Sequence, residues 1–276
     1  MEYEPELFRA YLEKEGFSNN TLLSYLSALT QFYRLFNQMN SETLRSYKSF
    51  LLDNHRPSTV NTRICALNHY IDFMARSNPA FSSLCHLTTV RCRPKPFLDS
   101  IISQKDYNRL KGELKKEENW YWYFLIRVMA CTGVRVSELV QIKAEHLRAG
   151  YMDICSKGCK MRRIYFPSGL KQEFLPWLDS RRLDSGLIFT GKTGKALSSR
   201  AISQKLKYFA RKYHIPPNTV SPHSFRHRFA KNFLSQYNDI SLLADLLGHS
   251  SLKTTRIYLT KSSNEQRKAV DRIVTW

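Results

Sequence analysis

No apolar run in this chain approaches the eighteen or so residues that a membrane-spanning helix needs, so a helical membrane anchor is not expected. The opening stretch, MEYEPELFRA, is acidic and does not read as a secretory signal. Cysteine is sparse and scattered, at Cys65, Cys85, Cys92, Cys131, Cys155 and Cys159, with no paired framework. That usage suits a reducing, cytoplasmic setting. Cys155 and Cys159 are spaced C-x3-C, but no second Cys or His pair lies at zinc spacing, so neither a metal site nor any other cofactor is expected. Internal repeats and low-complexity segments are also missing.

Acidic residues are the other shortage. Only 23 Asp and Glu stand against 43 Lys and Arg, for a net charge of +20. Residues 1–90 hold eight of each sign, so residues 91–276 carry the whole excess. A field of that size and placement favours a polyanion, and nucleic acid before an anionic membrane. Hydrophobic residues at 42% and aromatics at 13% provide for buried cores, and 276 residues suffice for two modest domains.

Periodicity predicts helices over 19–36, 40–54 and 57–75, with Leu22, Leu26, Leu29, Tyr33 and Phe36 as the stripe of the first. Asn20 and Ser41 are the expected caps of the first two. Within this helical module residues 31–90 are net +3, which gives it one basic face bearing Arg34, Arg45, Lys48, Arg56 and Arg63. TTVRCRPKPFLD then breaks the pattern with Pro94 and Pro96 among Arg91, Arg93 and Lys95. The expected organisation is a helical domain over 1–90, a basic linker over 91–99 and a mixed domain over 100–276 with a tail over 262–276. In the mixed domain, helices are predicted over 102–117, 120–133 and 135–147. YMDICSKGCKMRRIYF changes to strand period around a turn at Lys157 and Gly158, and further helices follow. The fold class is therefore mainly α with a small antiparallel β-sheet (α+β).

Four stretches could carry chemistry. In SPHSFRHRFA, Ser221 is a good cap and Pro222 suits the first helical position. His223 and Arg226 then share one face of a helix N-terminus, a natural anion site. His227, one residue further round, is a rival to His223. In CTGVRVSEL, Arg135 sits between two helices, and arginine grips phosphate oxygens in pairs. Lys157 lies at the predicted hairpin turn, with Lys160 as its alternative. In LLGHSSLKTTRIYLTK, Gly248 ends a helix, His249 follows, and Tyr258 comes nine positions later beside Arg256. Two arginines, two histidines, a lysine and a tyrosine suffice for metal-free phosphodiester transfer. The arginines neutralise transition-state charge, a His or Lys moves the proton, and tyrosine attacks. Tyrosine ionises near pH 10, so it needs a base or a strongly positive pocket.

In order and spacing, TGVRVSEL, SKGCK, SPHSFRHRFA and LLGHSSLKTTRIYL resemble the boxes of the tyrosine recombinase/integrase family. By that resemblance Arg135, Lys157, His223, Arg226, His249 and Tyr258 would be the catalytic residues. The detailed likeness spans residues 100–276, and the helical module resembles the family's core-binding domain only in length and pattern. The resemblance implies a C-shaped clamp on double-stranded DNA at inverted-repeat sites, and a 3′-phosphotyrosine intermediate. It further implies exchange through a Holliday junction within a homo-tetramer, and a tail that docks in trans on the next protomer. No cofactor and no membrane are implied, and the enzyme would work in the cytoplasm, on the nucleoid. With eighteen residues after Tyr258 and no arm-binding segment before residue 1, a simple Xer-type recombinase, an inversion switch or a compact mobile-element integrase is expected. The alternatives are a type IB topoisomerase-like nicking-closing enzyme and a non-catalytic DNA-binding protein.

Overall fold

The structure is a computed structural model that describes residues 4–92, 101–156, 160–249 and 251–259, with Arg267 and residues 270–274. The chain divides into two compact units, Met1–Lys95 and Pro96–Trp276. It is mainly helical, with one two-stranded antiparallel sheet among the described residues. Among those residues no helix is long and apolar enough to cross a membrane.

The first unit holds α1 (Pro5–Lys14), α2 (Asn19–Leu35), α3 (Ser41–Asn54), α4 (Pro57–Ala75) and the short α5 (Pro79–Ser82). Their apolar stripes meet in one core built around Phe8, Phe32, Tyr47, Ile64, Leu67 and Tyr70. Two caps differ from expectation. Ser18 rather than Asn20 caps α2, accepting from the Thr21 amide, and Asn40 rather than Ser41 caps α3 in a reciprocal box with Thr43. In each case the true cap is extended and its side chain reaches the amide three residues on, so the helix begins one residue after it.

The second unit starts with α6 (Gln104–Lys116) and α7 (Trp120–Thr132). The helix predicted over 135–147 is broken. Val136–Leu139 form α8 and Ala144–Ala149 form α9, while Lys143 between them is extended and bridges to Leu187. Pairing with the GLIF segment takes the backbone groups that a continuous helix would have used. Strands β1 (Tyr151–Ser156) and β2 (Lys160–Tyr165) pair antiparallel, Tyr151 opposite Tyr165 and Ile154 opposite Arg162. Then come α10 (Ser168–Ser180), α11 (Ser199–Lys212), α12 (Pro222–Gln236), α13 (Ile240–Leu247) and α14 (Leu252–Arg256), followed by a 3₁₀ turn at Ile257–Leu259.

Helix α12 is the axis of this unit. Phe225 enters the main core, Ser224 Oγ accepts the Ile102 amide at 2.8 Å, and Arg228 bonds Gln104. Gly133 caps α7 with φ of +62°, and a Cβ there would lie 2.5 Å from the Phe229 ring. Only glycine permits both that conformation and that approach of α7 to α12. Ala230, Leu243, Leu247 and Tyr258 form a small separate core with Phe229, Phe233 and Leu234.

Candidate active site

The C-terminus of α13 organises the site. A helix ends with carbonyls that have no partner within the helix. Here Gly248 turns the chain with φ of +64°, and three successive carbonyls point to three arginines from three other elements. Arg162 of β2 donates to Leu246 O. Arg226 of α12 donates to Leu247 O at 2.6 Å, and Arg135, at the N-terminus of α8, donates to Gly248 O at 2.8 Å. Arg226 also donates to Gly133 O at 2.7 Å, so it ties the end of α7 to the end of α13. Cations at a helix C-terminus complement its dipole as well as its free carbonyls.

One carboxylate serves this cluster. Glu138 receives the Arg135 amide at 2.7 Å, the Arg135 guanidinium at 2.9 Å and the buried Arg162 guanidinium. Burial pushes its carboxyl up, but the bonds from Arg162 and Arg135 outweigh burial and hold it below its ordinary range. Three guanidiniums against one carboxylate leave an excess of positive charge. Burial first, then the charges of Arg135 and Arg162, pull the Arg226 ionisation down to about 10. Like charges held this close make the cluster a positively charged nest. Arg162 is nearly inaccessible, with 4% of its side chain exposed, whereas Arg135 keeps 38%. Arg135 is thus the most open of the three guanidiniums, and Arg162 is a strut behind it.

Tyr258 lies beside the nest. It is 8% exposed, on the 3₁₀ turn, packed against Leu243 and Leu247. Its hydroxyl is 2.9 Å from His227 Nδ1. Burial raises its ionisation above the ordinary phenol value, and Arg226 and Arg135 oppose that rise. The His249 ring lies parallel to the tyrosine ring at 6.3 Å and holds the buried Thr255 hydroxyl on Nδ1 at 2.7 Å. Burial, with Arg226, Arg135 and Arg162 nearby, lowers the His249 ionisation to about 4. His249 is therefore neutral at physiological pH.

The structure brings Arg135, Arg226, His249 and Tyr258 together. His223 stands exposed in the first turn of α12, whose cap is Ser221 with Pro222 as first residue. Lys157, Arg93 and Lys95 lie outside the described residues. Of the basic residues singled out for DNA, Arg34, Arg45, Arg56, Arg91 and Arg256 are exposed, and Lys48 is half-buried and bonded to Thr88. Arg63 is half-buried, bonded to Gln31, and lines a cleft of about 280 Å³ with Ser24, Ser27, Ser58, Thr59 and Thr62. Sequence reasoning missed Glu138, Arg162 and Thr255. Glu138 could have been found as the i+3 neighbour of Arg135, but nothing in the spacing joins it to Arg162 across 24 positions.

Residues 100–265 match the Phage integrase family. The chain belongs to that family. As a family member it is an enzyme of the tyrosine recombinase kind, acting in site-specific DNA recombination. It is 29% identical to tyrosine recombinase XerA of Pyrococcus furiosus, over 97% of this chain and 92% of that one. It is 30% identical to tyrosine recombinase XerC of Rickettsia peacockii, over 93% and 91%. In fold it is similar to XerH site-specific recombinase bound to its difH substrate, with a TM-score of 0.72, covering 95% of this chain and 83% of that one at 20% identity. It also resembles a lambda integrase dimer bound to a core site, with a TM-score of 0.67 and 17% identity.

Proposed function

We propose that this integrase-family recombinase cleaves and rejoins double-stranded DNA through Tyr258. The observation that carries the reading is a tyrosine hydroxyl held on an imidazole beside three clustered guanidiniums, two of which bond one carboxylate. Arg135 and Arg226 bind the non-bridging oxygens of the scissile phosphate and stabilise the charge that builds on it. Tyr258 Oη attacks phosphorus, the bond to the 5′-oxygen breaks, and the 3′-phosphotyrosine ester stores the bond energy for the returning strand. Lys157 and His223 are the candidates for supplying the proton to the leaving 5′-oxygen, and neutral His249 braces the site through Thr255. No metal or other cofactor takes part in these steps.

At the level of assembly, four protomers pair two inverted-repeat sites and exchange strands through a Holliday junction. The first unit acts as the core-binding domain, and the linker over 91–99 lies along the backbone with Arg91, Arg93 and Lys95. Arg34, Arg45, Lys48, Arg56, Arg63 and Arg256 contact phosphates. The tail leaves Val270, Ile273 and Val274 exposed by 56%, 67% and 46%. Such a stripe needs a cover, and docking on the neighbouring protomer in trans supplies one. The setting is cytoplasmic, on the nucleoid.

The test is a supercoiled plasmid carrying two inverted-repeat sites, incubated with purified protein in EDTA. Exchange of the flanking segments together with protein attached at DNA 3′ ends is expected. Relaxation from a single site without exchange would overturn the paired-site reading in favour of a nicking-closing enzyme.

A further inference from the structure

Tyr258 presents a chemical difficulty that the arginine nest does not remove. Burial keeps its hydroxyl protonated at neutral pH, and a phenol is a poor nucleophile. Something must take its proton as it attacks. Of the histidines near it, His249 spends Nδ1 on Thr255, and His223 stands exposed a full turn nearer the helix start. His227 presents Nδ1 to the hydroxyl at 2.9 Å, with the two rings 5.4 Å apart and tilted by 54°.

We infer that His227 is a further catalytic residue of this enzyme, the general base that receives the Tyr258 proton. The inference rests on Tyr258 being the nucleophile. In the resting enzyme the phenol O–H donates to Nδ1 of the neutral ring. On attack, the Oη–H bond breaks and its proton passes to Nδ1 as the Oη–P bond forms. The P–O5′ bond breaks, and the 5′-oxygen takes its proton from Lys157 or His223. Rejoining runs the same steps backwards, with imidazolium at 227 returning the proton to the phenol.

The surroundings keep His227 in the accepting form. Burial, then the neighbouring charges of His223 and Arg226 on its own helix, lower its ionisation below the ordinary histidine value of 6.5. Tyr258 faces it from the 3₁₀ turn, and His249, whose own titration His227 lowers, faces it from the loop after α13. The ionisable side chain of α13, Asp245, is exposed. Of the ionisable side chains of α7, Arg127 and Cys131 interact with each other and between them with Tyr107, Glu173, Lys111 and Arg228. Tyr121 and Tyr123 are shifted by burial first, then by Arg181 and Glu173 rather than by His227. An imidazole that stays neutral through the physiological range can both hold the hydroxyl and accept its proton.

The experiment measures the rate of covalent adduct formation on a nicked single-site duplex between pH 5 and pH 9, with DNA binding followed in parallel. Wild-type protein should lose rate at the acid end of this range, below the ordinary histidine ionisation, as His227 becomes protonated and can no longer accept. His227→Gln should bind DNA normally and form adduct about 10²- to 10⁴-fold more slowly. Its rate should rise steadily with pH toward the tyrosine ionisation, without the acid limb. His227→Ala should regain rate when free imidazole is added. A wild-type rate that is flat across this range, or a Gln variant with the wild-type rate or the wild-type acid limb, overturns the inference. The wild-type profile alone decides the matter if both variants fail to fold. Absence of any adduct from the wild type would instead overturn the nucleophile assignment beneath it.

Discussion

Arg162 and Glu138 show how much of this site is scaffolding. Both are buried, and neither is placed to touch a substrate, yet Arg162 connects β2 to Leu246 and to Glu138. Glu138 in turn fixes Arg135 through its main chain and its guanidinium. Breaking a buried ion pair by removing one partner costs roughly 3–5 kcal/mol, because the other charge is left without compensation. Arg162→Met should therefore lower the melting temperature by many degrees. It should also slow cleavage more than it weakens DNA binding, since Arg135 loses its fixed carboxylate. Thermal melting and adduct kinetics together check this. A variant with wild-type melting and wild-type cleavage would show that Arg162 is not the strut described here.

At the scale of elements, helix ends do the positioning. Glycines with positive φ close α7 and α13, and the three arginines are bound to the carbonyls those ends expose. Gly248 is the tighter constraint. A Cβ there would meet the Arg162 side chain, and the left-handed conformation costs an L-residue about 1–2 kcal/mol. Gly248→Ala should lower stability by at least that strain, and by more if Arg162 is displaced from Leu246 O. The measurement is denaturant unfolding, and a loss below about 0.5 kcal/mol would contradict the geometry.

Much of this was legible in the sequence. Ser221, Pro222 and the end of α7 at Gly133 follow from local capping rules, and the strand period of β1 and β2 from alternation. The break at Lys143 was not legible, because its cause is a bridge to Leu187 from a distant segment. The choice between His223 and His227 also needed the fold. They lie four positions apart, one turn along α12 and only about 40° apart in direction, and it is the packing of the 3₁₀ turn that brings Tyr258 to the His227 ring.

For the whole molecule, the charge asymmetry and the site support one account. The chain carries its excess of +20 in residues 91–276, the stretch that contains the arginine nest and all of the candidate catalytic residues. A polyanion drawn by that field meets a site where positive charge exceeds its only carboxylate partner among the described residues. The central claim is that one of fifteen tyrosines, buried at Tyr258, becomes joined to DNA. The most direct measurement is mass spectrometry of the peptide that stays attached after adducts on a nicked duplex are trapped, nuclease-trimmed and digested with protease. The account predicts a 3′-nucleotide phosphodiester on Tyr258, and its loss in Tyr258→Phe with DNA binding retained. Attachment at any other residue, or an undiminished adduct from the Phe variant, would contradict it.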